Sequence, residues 1–581
     1  MTNFTAVVFR HNKSNMNNII IERVEKLREY LRKNRLSAFI FPSTDPHQGE
    51  YVPEHWQTRQ WISGFDGSAG TAVVTLPDAA LWTDSRYFIA AAEQLEGTPF
   101  QLMKEGLPET PTIEEWICEQ LTEGEMVGID GDVFTTTEIE EMKAVFEKTG
   151  IKLRTDLDPA EELWIDRPPI PKNKVEIQPL EFAGESAESK IERVRQALRE
   201  QKAEGILISK LDEIAWLLNM RGSDVHCNPV FVSYVLLTLD EVTLFIDSEK
   251  LDETAEIYLK SIGVSIRPYG KPAFESTASN PIPAMKSVKN AAEIEGFKRA
   301  MVRDGVAMVK FLRWLESAIN TGKETELSID KKLTTLRAEQ PLYRGLSFDT
   351  IAAYGPHGAI VHYEATPETD VLLEPKGLLL LDSGAQFQDG TTDITRTIAL
   401  GPLTDEERLD YTLVLKGHIR LALSRFPDGI SGTQIDAYAR YAMWQHGINF
   451  GHGTGHGVGS YLCVHEGPHQ IRHTWKPAPL HAGMTVTNEP GIYRQGKHGV
   501  RIENTMIIVE AGETEFGKFL RLESLTLCPI DLTPVIWDMM TPEEVAYLND
   551  YHKKVYEKLS PYLDEEVREW LYSQCSMVNV Q

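Results

Sequence analysis

A few acidic and histidine side chains in the last third of the sequence have the types and spacing to hold metal ions. The stretch GLLLLDSGAQFQDGTTDITRTIALG, residues 377–401, carries Asp382 at the end of a leucine run and Asp393 in a β-branched run. Both runs read as strands, and Asp389-Gly390 between them is a hairpin turn signal. Antiparallel pairing about that turn is expected to bring Asp382 and Asp393 close across the ladder. Like charges facing each other destabilise a sheet, and an unpaired buried carboxylate costs several kcal/mol. A cation between the two removes both penalties. Two turn-proximal acids facing water are the ordinary alternative.

Further along, FGHGTGHGVG carries His452 and His456 among five glycines. Glycine at that density excludes a stable helix, so the helical HExxH zinc pattern does not apply. A glycine-rich strand or loop instead lets backbone approach a site closely. His465 follows in VHEGP, and Glu489 ends a β-branched run before a Pro-Gly turn. In GVRIEN, Val500 and Ile502 alternate with Arg501 and Glu503 on the opposite face. Taken singly, each has an ordinary reading: a structural His, a strand-end acid, a surface Arg501–Glu503 ion pair. Taken together, four carboxylates and a His at strand ends and glycine turns form a hard-ligand set for two divalent ions. Cys463 lies nearby but outside the pattern, which argues against structural zinc.

These residues need a scaffold, and the chain is long enough for several. Its 581 residues, 42% hydrophobic and 25% charged, fit two to four globular domains. A net charge of −27 argues against nucleic acid. Five scattered cysteines without a CxxC suit free thiols in a reducing compartment. There is no apolar leader-like run and no stretch near the ~20 apolar residues of a membrane span. A cytoplasmic enzyme without membrane or nucleic-acid partners is the expectation.

Two proline-rich stretches, DRPPIPKNK (166–174) and NPIPAMK (280–286), divide the chain into 1–170, 171–285 and 286–581. The first two parts read as copies of one unit. IERVEKLREYLRKNRLSAFIF is echoed by IERVRQALREQKAEGILIS, WISGFDGSAGTAVVTL by WLLNMRGS with FVSYVLLTL, and ALWTDSRY by TLFIDSEK. Helix–strand alternation predicts α/β domains with mixed sheets. Ile20, Val24, Leu27 and Leu31 mark the buried face of the first helix. GFDGSAG follows no strand-to-helix transition and reads as a turn, not a phosphate loop. The third part opens on a helix whose stripe, Ile294, Phe297, Met301, Met308, Leu312 and Leu315, is core.

DSGAQFQDGTTDITRT, HGTGHGVGSYLCVHEGP, NEPGIY and GVRIEN, in that order, resemble the pita-bread metallopeptidases, which include methionine aminopeptidases, prolidases, aminopeptidase P and creatinase. GLSFDTIAAYGPHGAIVHYEA (345–365), YTLVLKGH (411–418), YLNDYHKKVY (547–556) and TDSRY (83–87) narrow the resemblance to the three-domain cytosolic aminopeptidase P branch, over nearly the whole chain. The resemblance implies an α/β (α+β) chain: two creatinase-like N-terminal α/β domains followed by a C-terminal pita-bread catalytic domain. It implies Asp382, Asp393, His456, Glu489 and Glu503 as ligands of two divalent ions, with Mn²⁺ as the metal the family implies and Asp393 and Glu503 bridging. It makes His362, His452 and His465 active-site histidines, and Arg501 and Arg86 substrate contacts. The implied reaction splits the bond before a penultimate proline with a hydroxide shared by the two ions. Glu489 would relay its proton, His465 and His362 would stabilise the oxyanion, and a pocket near His452 and Arg501 would take the proline ring. The implied partners are peptides with proline second and a second copy of the chain. A prolidase confined to Xaa-Pro dipeptides is the nearest rival, and a metal-free peptide-binding module the rival from another class.

Overall fold

The first helix, Asn3–Asn34, turns Ile20, Val24, Leu27 and Leu31 inward, all fully buried. It stops at Arg35, whose φ of 59° no helix can continue, and strand Ala38–Phe41 begins three residues later. The helix Ala187–Gln201 repeats the device. Its Ser186 cap accepts a hydrogen bond from the Ser189 amide, it buries Ile191, Val194 and Leu198, and it ends at left-handed Lys202 before strand Gly205–Ile208. The computed structural model describes residues 3–274 and 278–578.

The two copies also share their sheet pattern. Ala38–Phe41 pairs antiparallel with Thr71–Thr75, which pairs antiparallel with Ala79–Thr83, which pairs parallel with Gln101–Lys104. Gly205–Ile208, Tyr234–Thr238, Val242–Phe245 and Val264–Arg267 repeat that order of antiparallel, antiparallel and parallel pairs. The first sheet alone extends further, through parallel strands Met126–Ile129 and Lys152–Arg154.

The third part opens on helix Ala291–Ala318, started by a capping box between Asn290 and Glu293. Phe297, Met301, Met308 and Leu315 of the expected stripe are buried, with Ile294 and Leu312 partly so. Beside it, Leu378–Ser383 is the middle strand of three, antiparallel to both Ile351–Tyr354 and Ile394–Ala399. The hairpin read from the sequence is present, but in two pieces. Asp382 faces Thr395, while Ala385–Phe387 pairs with Gly390–Thr391 nearer the turn. The ladder breaks between them, at Gly384 and opposite Thr392-Asp393. A Cβ on Gly384 would come within 2.1 Å of both Ser347 Oγ and the Thr392 carbonyl, so only glycine fits the break. Asp382 and Asp393 are therefore not a facing pair; the break offsets Asp393. The turn acid Asp389 is buried too, bound by Arg299 and Arg303 of the long helix.

A buried ionic clamp joins the parts. Lys286, the last residue of the second proline stretch, lies 2.7 Å from Asp212 of the second unit and 2.6 Å from Glu466, which follows His465. Lys289 binds the other oxygen of Glu466. No helix among the described residues is long and apolar enough to cross a membrane.

Candidate metal centre

The four predicted carboxylate ligands sit at or beside strand ends. Asp382 is the penultimate residue of its strand, and Asp393 lies in the ladder break. His456 is in the short strand Gly455–Gly457, drawn close to its neighbour because a Cβ at Gly455 would fall 1.9 Å from the Thr487 carbonyl. Glu489 follows strand Thr485–Asn488, and its amide donates to the Thr454 carbonyl at 2.8 Å. Glu503 lies between His498–Arg501 and Asn504–Thr514, its amide on the Thr395 carbonyl at 3.1 Å. Strand ends leave backbone amides free for such tethers, and each tether fixes a carboxylate.

The five converge on one cavity of about 860 Å³. Asp393, His456 and Glu503 each place a ligand atom within 4.8 Å of the others. His456 Nδ1 is 2.9 Å from the Gly457 carbonyl, so this nitrogen carries the proton and Nε2 is left to the carboxylates, 3.4 Å from Asp393 and 3.5 Å from Glu489. Glu503 accepts from Thr395 Oγ1 at 2.8 Å. Asp382 Oδ2 accepts from Arg501 Nε and Nη2 at 3.1 and 2.7 Å, while its buried Oδ1 has no partner.

The electrostatics are those of a site short of positive charge. Burial pushes the Asp382, Glu489 and Glu503 carboxyls above their ordinary pKa, and neighbouring carboxylates add to it. Arg501 and His456 counter this only in part. Burial also pulls on His456, but its hydrogen bond to Asp393 and the charges of Glu489 and Asp393 win and raise it to about 9. An orphaned buried oxygen among four carboxylates and one imidazole fits hard or borderline divalent ions, with no thiolate in the set.

Two of the other expected histidines line the same cavity, and each is held by the first unit. His362 Nδ1 lies 2.8 Å from the Tyr87 hydroxyl, which also meets Ser68 Oγ at 2.7 Å. His465 Nδ1 lies 2.8 Å from Glu50, and its ring meets that of His456 edge-on at 4.3 Å. Burial, reinforced by Arg86 and Arg501, holds His362 well below its ordinary pKa, so this imidazole is neutral. Burial opposes ionisation of Glu50, but His465 and Arg86 hold its carboxyl well below the usual range.

Three expected substrate contacts are placed differently. Arg501 is fully buried between Asp382 and the Tyr493 hydroxyl, 2.8 Å from Nη1. His452 Nε2 meets the same hydroxyl at 2.7 Å, and burial together with Arg501 lowers this imidazole to about 3. Arg86 is bound by Asp84 at 2.8 Å and Glu50 at 3.3 Å. All three are thus engaged by protein groups and set behind the residues that line the cavity. Arg501 and Glu503 are likewise not a surface ion pair: both are buried, and Arg501 spends its charge on Asp382.

Glu50, Tyr87 and Tyr493 were not singled out by the sequence. For Tyr87 a signal existed: TDSRY and IDSEK share Asp-Ser and then differ, Arg86-Tyr87 standing against Glu249-Lys250.

Comparison with known proteins agrees with this geometry. The model of metallopeptidase family M24 matches residues 295–510, and that of the C-terminal region of peptidase M24 matches 518–578. Two models of the creatinase/prolidase N-terminal domain match 23–160 and 166–279. A probable Xaa-Pro aminopeptidase P of Laccaria bicolor is 40% identical, over 96% of this chain and 93% of its own. Xaa-Pro aminopeptidase 1 of Dictyostelium discoideum is 39% identical, over 96% of each. The crystal structure of an X-prolyl aminopeptidase from Caenorhabditis elegans, described as a cytosolic enzyme with a di-nuclear active site, superposes with a TM-score of 0.93 at 35% identity, covering 96% of this chain and all of that one. With creatinase-type units in front and a pita-bread unit behind, the chain belongs to the M24 metallopeptidases, in their Xaa-Pro aminopeptidase branch.

Proposed function

We propose that this protein is a metal-dependent aminopeptidase that removes the first residue from peptides whose second residue is proline. The observation that carries the reading is the buried set of four carboxylates and one imidazole around a partnerless Asp382 oxygen, in a chain of this family. Asp382, Asp393, His456, Glu489 and Glu503 would hold two divalent ions, with Mn²⁺ the natural choice for an oxygen-rich set. Bound there, such a pair supplies a nucleophile from water at neutral pH and polarises the scissile carbonyl.

The chain's own residues do the rest. Glu489, oriented by Thr487 Oγ1 at 3.2 Å and raised by burial, takes up and returns a proton. His465, fixed by Glu50, and neutral His362, fixed by Tyr87, orient the peptide and donate to the oxygen that gains charge. Arg501, with His452 behind it through Tyr493, holds Asp382 in place. The first unit covers the cavity, which limits access to chain ends.

The division at 1–170, 171–285 and 286–581 follows the separate sheets of the two front units. Five free cysteines suit the cytoplasm. A homodimer through the last unit would cover Tyr438, Tyr441 and Trp444, which one short helix exposes on a single face.

The test is metal-depleted protein resupplied with Mn²⁺ and offered Xaa-Pro, Xaa-Pro-Xaa and N-acetylated Xaa-Pro-Xaa. Cleavage of the free tripeptide with rejection of the acetylated one is expected. Activity confined to the dipeptide would make it a prolidase, and cleavage of internal bonds would end the aminopeptidase reading.

A further inference from the structure

A second group of metal-type donors stands on the same cavity wall, apart from the five ligands. His226 and Cys227 belong to the turn Val225–Asn228 of the second unit, and Asp349 follows strand Tyr343–Leu346 of the third. An imidazole nitrogen, the thiol sulfur and a carboxylate oxygen from these residues all lie within 4.8 Å of one another. His226 Nε2 and Asp349 Oδ1 are 2.8 Å apart. The His226 side chain is 76% exposed and that of Asp349 47%, so an ion from solvent reaches them without opening the fold. All three line the cavity, which places them at its rim.

The turn that presents them is held in an unusual form. Cys227 has a φ of 59°, a left-handed conformation that costs a non-glycine residue on the order of 1–3 kcal/mol. Its carbonyl accepts from Gln386 Nε2 at 3.1 Å, and Asn228 Nδ2 donates to the His226 carbonyl at 2.8 Å. These bonds keep imidazole and thiol side by side. Glu364 on the same wall is close enough for Asp349 to help burial raise its pKa, so this part of the rim carries surplus negative charge.

The donors differ in kind from the catalytic set. Four carboxylates and one imidazole suit hard ions, whereas sulfur, nitrogen and oxygen with one position open suit Zn²⁺. We propose that His226, Cys227 and Asp349 form a zinc-type site at the cavity rim, separate from the catalytic pair, whose occupation obstructs peptide entry and inhibits the enzyme. Binding replaces the Cys227 thiol proton and the extra proton that Asp349 and Cys227 hold on His226, and releases both to solvent. The fourth position is left to water.

The test uses the full-length, Mn²⁺-loaded enzyme. Titration with Cd²⁺ should give a thiolate-to-metal charge-transfer band that saturates at one equivalent and is absent in Cys227→Ser. Titration with Zn²⁺ should inhibit cleavage of a Xaa-Pro-Xaa peptide. Cys227→Ser and His226→Ala should each weaken that inhibition by at least about 10–100-fold, the loss caused even by removing an outer-sphere partner. Manganese content and zinc-free activity should stay as in the parent. The band is read without any peptidase assay, so its failure is distinct from failure of the aminopeptidase reading. A band that survives in Cys227→Ser, or no band at all, overturns the site. Equal zinc inhibition of parent and variants overturns it too, because zinc then acts at the catalytic pair. A Cys227-dependent band with undiminished activity overturns the obstruction.

Discussion

Two buried ionic clusters, whose nearest members in the sequence are His456 and Glu466, solve opposite problems. In the interdomain clamp, Lys286 and Lys289 face Asp212 and Glu466, two cations for two carboxylates. In the metal centre, Asp382, Asp393, Glu489 and Glu503 share one permanent cation, Arg501, and one imidazole. The clamp is neutral from protein alone. With His456 neutral, as a ligand must be, the centre is three charges short, and two divalent ions cover that with one positive charge left over. A cluster balanced by its own side chains is architecture; one left in deficit is a receptor for cations.

The largest test of that contrast is Asp393→Asn. It should strip metal, seen by elemental analysis, and cut kcat/KM by more than about 100-fold, beyond the cost of an outer-sphere change. The fold should survive, because the variant removes a charge from a cluster that has too many. Full metal occupancy in this variant would remove Asp393 from the ligand set.

Lys286→Met should do the reverse. It leaves buried carboxylates short of a partner and should cost about 3–5 kcal/mol in denaturant unfolding, with metal content per folded molecule unchanged. Loss of metal without loss of stability would show that the clamp belongs to the site.

A smaller effect follows from pH. In the metal-free protein His456 is raised from 6.5 to about 9, so its contribution is full below 6.5 and is lost as pH rises through about 9. The raised carboxyls act in the same direction. Metal replaces those protons. The stability gained on loading should therefore grow between pH 6.5 and 9, by on the order of 2–3 kcal/mol from His456. Unfolding curves of both forms across that range check the sign.

Tyr87→Phe should have the least effect on the balance of charge: normal metal content, near-parent stability, and kcat lowered about tenfold through a looser His362, the low end for an outer-sphere change. An unchanged kcat would leave Tyr87 as packing.

Candidate ligands stood out in the sequence where a hard donor coincides with a local end signal, a leucine run stopping at Asp382, a Pro-Gly after Glu489, glycines around His456, and the family resemblance supplied the full set of five. The duplicated units were legible because hydrophobic period and turn residues recur together. What stayed hidden depends on pairs remote in sequence with no local pattern. Arg501 and Glu503 alternate as a surface pair would, yet Arg501 reaches Asp382 at a separation of 119 residues. The break at Gly384 came from packing against Ser347, which no hairpin signal announces. His226-Cys227 and Asp349 meet only because the second unit docks on the third.

The bond between Glu50 and His465 spans 415 positions. On the ribosome, at about 5–20 residues per second, roughly 20–80 s pass between the two being made. The first unit waits, folded, for the histidine it will hold. A nascent or truncated chain that carries one end without the other lacks a finished cutting site, so newly made peptidase stays harmless until its first and last parts have met.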